Sequence, residues 1–195
     1  MLRIVNIEEI ERLLLQLPAL VQQQEQRSIN FASSAGAWLS ALEKVFTANR
    51  LYQAGYIASL RSGLVAAEQG EVPAGLEFRG RLTHSRVLNA VASQALHRAV
   101  EVASTLIAEN QPRLGEAERI AQQLVAVAFS RELIMARDKR MNDTQYLLSF
   151  KSQLVSSPDL ENVVTHLEGL VGPYDTLILL DRALAPYQNI VLPSK

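Results

Sequence analysis

The chain has 195 residues, enough for one sizeable core or one core with a small appendage; about half of them are apolar and a fifth charged, which excludes a disordered chain. The formal net charge is −1, so no overall field draws the protein onto nucleic acid or anionic lipid. With no cysteine it holds no disulfide, no thiolate metal site and no cysteine nucleophile, which suits a reducing cytosol.

The amino-terminal run turns acidic by Glu8, unlike a secretory leader. A first helix is expected over Ile7–Gln26, with Ile10, Leu13, Leu14, Leu17 and Val21 on one side and Pro18 kinking or splitting it. A long second helix follows over Ser28–Gln69. Its stripe of Trp38, Leu42, Val45, Asn49, Tyr52 and Tyr56 alternates steps of four and three, the seam spacing of packed helices. On a neighbouring face Gly55, Ser59 and Gly63 form a ridge of small residues that lets another helix backbone come close.

Gly70–Leu82, with Pro73, Gly75 and Gly80, is the clearest break and the place for a subdivision if there is one. Thr83 can cap a third helix that runs to about Asn110, with Leu88, Val91, Ala95, Ala99, Val102 and Leu106 inward. Pro112 and Gly115 separate it from a fourth, Glu116–Arg140, so the two are expected to pair as a central antiparallel hairpin. Asp143 can cap a fifth helix. Ser157-Pro158-Asp159 starts a sixth, Gly172-Pro173 ends it, and Tyr174–Ala185 makes the last before Pro186.

The expected fold is therefore all-α: a single domain over 1–195, a helical bundle of about six to seven helices. Uncharged runs such as Leu13–Gln24 and Ile120–Ser130 fall short of the roughly 20 apolar residues of a membrane span. A soluble, cytoplasmic protein with no membrane contact is expected.

Chemistry has few places to sit. No nucleotide-binding loop and no Gly-x-Ser-x-Gly elbow appears, so no cofactor is expected. A di-iron bundle needs Glu-x-x-His on two helices, and none of His84, His97 and His166 follows a carboxylate at that spacing, so no metal is expected either. His97 and Glu101 are one turn apart.

The segment Phe78–Arg86 collects Arg79, Arg81, Arg86 and His84 without an acid among them. Arg79, Arg81 and Arg86, joined by Arg98, can contact a polyanion such as nucleic acid. Arg79 and His84, four residues between them, are similar to the Arg-x4–6-His motif of HEPN-type ribonucleases, which are also helical bundles. The resemblance covers these two residues. It implies metal-independent RNA cleavage, the histidine moving a proton and the arginine steadying phosphate charge.

The same arginines have a complement inside the chain. Between Ser152 and Asp181 stand Asp159, Glu161, Glu168, Asp175 and Asp181 with no lysine or arginine, facing positive stretches at Arg79–Arg86 and Arg131–Arg140. Pairing of those blocks is the favoured reading, with charge setting orientation more than stability. No residue is assigned as catalytic. The favoured function is a non-enzymatic interaction or assembly protein, a homo-oligomer or a binder of another protein, using Trp38, Tyr52, Gly55, Tyr56, Ser59 and Gly63. The alternatives are a nucleic-acid binder or ribonuclease, and a regulator that holds a small apolar ligand between helices.

Overall fold

A computed structural model describes residues 2–71, 83–134 and 140–191. They fold into eight helices, and among the described residues there is no strand. In chain order these are α1 Ile4–Leu14, α2 Leu17–Glu25, α3 Phe31–Ala48, α4 Ala54–Glu68, α5 His84–Ser130, α6 Asp143–Val155, α7 Pro158–Val171 and α8 Pro173–Val191. The expected all-α bundle is what forms. None of these helices is long and apolar enough to cross a membrane.

Contacts divide the chain into two compact units, one of Leu2 and Ile4–Glu109, the other of Arg3 and the chain from Asn110 onward. The boundary falls inside α5 and not at the Gly70–Leu82 break, most of which lies outside the described residues.

In the amino-terminal unit α3 packs chiefly on α4, with α1 and α2 against α3. Pro18 splits the first helix as expected, standing in the first turn of α2 where its missing N–H costs nothing. The core gathers Ile10, Phe31, Leu39, Leu42, Phe46, Ile57 and Leu64, each at most 1% exposed. Each such side chain contributes about 1.5–3 kcal/mol by leaving water. Gly36 supplies the close approach between α3 and α4: a Cβ there would stand 3.4 Å from Leu64 Cδ2.

The long second helix is corrected to two. α3 stops at Ala48 because Arg50 adopts a left-handed backbone, φ 53°. Its amide donates to Thr47 O at 3.0 Å and the Leu51 amide to Phe46 O at 2.9 Å, the paired bonds that close a helix and satisfy its last carbonyls. The same closure recurs at Arg27 (φ 52°) and Glu132 (φ 58°), so three helices end on a charged residue where glycine is usual.

The antiparallel hairpin is corrected the other way. The expected third and fourth helices are one, α5, which runs through Pro112. Proline costs a helix interior about 3 kcal/mol and Gly115 about 1. Apolar burial on both sides offsets that: Val91, Ala99 and Leu106 before the proline, and Ala117, Ile120 and Leu124 after it.

In the carboxy-terminal unit α6, α7 and α8 pack mutually and bury Phe150, Leu154, Leu167 and Leu180. The cap of α6 is Asn142, one residue before the expected Asp143. Its side chain accepts from the Gln145 amide at 2.8 Å while Gln145 Oε1 accepts from the Asn142 amide at 3.2 Å. α7 begins at Ser157-Pro158 as expected and ends at Gly172, φ 86°. α8 continues past Pro186, and the Tyr187 ring just beyond it meets Phe129, centroids 4.8 Å apart.

Candidate functional site

The turn between α3 and α4 decides where the aromatic stripe goes. Before it, Trp38, Leu42 and Val45 are buried; Asn49 caps α3, its Nδ2 donating to Val45 O at 2.7 Å. After it α4 resumes in a new phase, with Ile57, Leu64 and Ala67 inward.

Trp38, expected among the interface residues, lies in the core of the single chain. It is 3% exposed and its indole N–H donates to Leu13 O at 2.8 Å, within the amino-terminal unit. An indole held in this way has no contact left to offer a partner.

The remaining five candidates lie on the outer face of α4 and, for Tyr52, in the turn that leads into it. Tyr52 is 89% exposed, Gly55, Tyr56 and Ser59 are exposed, and Gly63 is half-buried. The Ser59 hydroxyl donates back to Tyr56 O at 2.7 Å, so it keeps to its own helix. Apart from neighbouring backbone, no described atom lies within 4 Å of where a Cβ would stand at Gly55 or Gly63. The ridge is empty. Arg61 lies off this face, its Nε donating to Glu43 Oε2 of α3 at 2.5 Å; that bond, then the charge of Glu43, raises the guanidinium pKa further.

Beside the two tyrosines opens a cleft of about 360 Å³ within the amino-terminal unit. Tyr52, Gln53 and Tyr56 form its α4 side. On the α5 side Val102 and Leu106 are half-buried and buried, while Glu101, Thr105 and Glu109 are exposed above them. Among the described residues no cationic side chain lines it, and the side-chain oxygen of Gln53 is buried without a hydrogen-bond partner. Val102 and Leu106 belong to the stripe expected to face inward, and the one-turn step from His97 to Glu101 is a contact, Nε2 to Oε1 3.5 Å. A further signal in the sequence is the four-residue line Glu101, Thr105, Glu109.

The basic segment is placed only in part. His84 and Arg86 open α5 and are exposed, whereas Arg79 and Arg81 lie outside the described residues. Among the described residues no group of three metal-ligating side chains forms.

Opposite charges do meet in the carboxy-terminal unit. Arg131 Nη1 lies 2.6 Å from Asp159 Oδ2, and Lys151 pairs with Glu168. The hydrogen bond from Arg131, then that from its own backbone amide, holds the Asp159 carboxyl below the usual aspartate range.

A comparison with known families, curated proteins and solved structures finds no match to this chain.

Proposed function

We propose that this is a non-enzymatic assembly protein that pairs with a second copy of itself through the outer face of α4. One observation carries the reading: large tyrosines and empty glycine positions lie on the same uncharged face. Tyr52 and Tyr56 stand towards its start and Gly63 towards its end.

That distribution is self-complementary. Two copies of α4 laid antiparallel about an axis near Ser59 and Leu60 set Tyr56 of each against Gly63 of the other. A two-fold interface of this kind uses the same patch twice and closes on itself. The glycines admit the facing backbone, and tyrosine supplies much contact area for little lost side-chain freedom. The cysteine-free composition fits work in the cytoplasm.

Light scattering over a range of concentrations tests this. The expected mass rises from the 21.6 kDa of one chain towards twice that value. The variant Gly63→Leu, whose Cβ meets no described atom within 4 Å beyond the neighbouring chain, is expected to stay folded and monomeric.

A further inference from the structure

We propose that the cleft between the start of α4 and the middle of α5 binds a linear aliphatic polyamine. The argument begins with spacing. Glu101, Thr105 and Glu109 follow one another at four-residue steps, so both carboxylates stand on one line of α5. At 1.5 Å per residue they lie about 12 Å apart along the axis.

That separation selects the ligand. One metal ion needs its oxygen ligands within about 2.6 Å, so it cannot use both carboxylates. A monoamine satisfies one of them and leaves the other alone. Two ammonium groups on a flexible hydrocarbon chain reach both, and the chain between them lies over the apolar surface of Val102 and Leu106.

The opposite side fits the same ligand. The rings of Tyr52 and Tyr56 attract a cation through their π faces. Gln53 lines the same side, and its side-chain oxygen, without a hydrogen-bond partner among the described residues, can accept from an ammonium or amine N–H once the side chain turns outward. Among the described residues no lysine or arginine lines the cleft to repel the ligand or compete for the carboxylates. His97 lies 3.5 Å from Glu101, and both of those side chains are largely in solvent. A volume of about 360 Å³ is within the usual range of small-ligand clefts.

The proposal does not depend on self-association. The test is isothermal titration calorimetry of the full chain at moderate salt, with spermidine as the probe and n-butylamine as its monoamine control. Spermidine is expected to bind at least tenfold more tightly than n-butylamine. Glu101→Gln and Glu109→Gln are each expected to weaken it about three- to fivefold, as removal of one exposed ion pair does. Glu68→Gln, an exposed carboxylate outside the cleft, is expected to leave it unchanged. Equal binding of the two amines overturns the proposal, and so does an equal loss in all three glutamine variants. The parent chain separates the readings: spermidine binding by a parent chain that stays monomeric at every concentration sinks the assembly account alone.

Discussion

The indole nitrogen of Trp38 and the main-chain oxygen of Leu13 are 2.8 Å apart, a buried hydrogen bond that ties α3 to the end of α1. One bond of this kind contributes about 1 kcal/mol, and the ring around it much more by burial. Trp38→Phe keeps an aromatic ring but loses the donor and leaves a void. It is expected to lower stability by about 2–3 kcal/mol, read from the urea midpoint. A loss below about 0.5 kcal/mol contradicts the core placement.

Arg50 presents the opposite case. It holds a left-handed backbone that costs a residue with a side chain about 1 kcal/mol or more and costs glycine almost nothing. Arg50→Gly is expected to raise the urea midpoint by the equivalent of about 0.5–1 kcal/mol. A lowered midpoint means that the arginine side chain, not the turn geometry, holds the joint.

Gly55 and Gly63 separate folding from assembly. A methyl group at either position meets no described atom within 4 Å beyond the neighbouring chain, so alanine is expected to stabilise the fold by up to about 1 kcal/mol per site through helix propensity. The same methyls stand where a second copy is proposed to approach, so association weakens. Thermal unfolding at low concentration and sedimentation at high concentration are expected to move in opposite senses. Parallel movement in both contradicts the pairing.

Much of this architecture is legible in the sequence, and the failures have physical reasons. Helical periodicity located nearly every element, and Pro18, Ser157-Pro158 and Gly172 marked joints because each acts through its own backbone. The joint at Arg50 carries neither glycine nor proline, so nothing local announces it; the long stripe therefore read straight through, and Trp38 and Tyr52 were put on one seam although the turn sends one to the core and the other to water. Pro112 misled in reverse, since a strong local penalty was overridden by burial on both sides. The cleft was hidden for another reason. Its carboxylates and tyrosines come from segments about 50 residues apart, and only tertiary packing brings them together.

The Arg131–Asp159 pair gives a dependence on acidity. The folded carboxyl titrates below its unfolded value, so its contribution is present above the ordinary aspartate range and is lost as pH falls through the lowered folded value. Thermal unfolding of the parent and of Asp159→Asn is therefore expected to differ at neutral pH and to converge on acidification below about pH 4. A gap that widens in acid reverses the sign and contradicts the assignment.

Because the chain has no cysteine, a single introduced thiol reports on the proposed two-fold axis without interference. Ser59→Cys places that thiol on the exposed face beside the axis, where two copies come within the 4.4–6.8 Å Cα separation, roughly, that a disulfide spans. Mild oxidation followed by non-reducing electrophoresis is the measurement. The account predicts rapid, nearly complete conversion to a covalent dimer, with a Glu68→Cys control remaining largely monomeric. Equal, slow cross-linking of the two variants contradicts it.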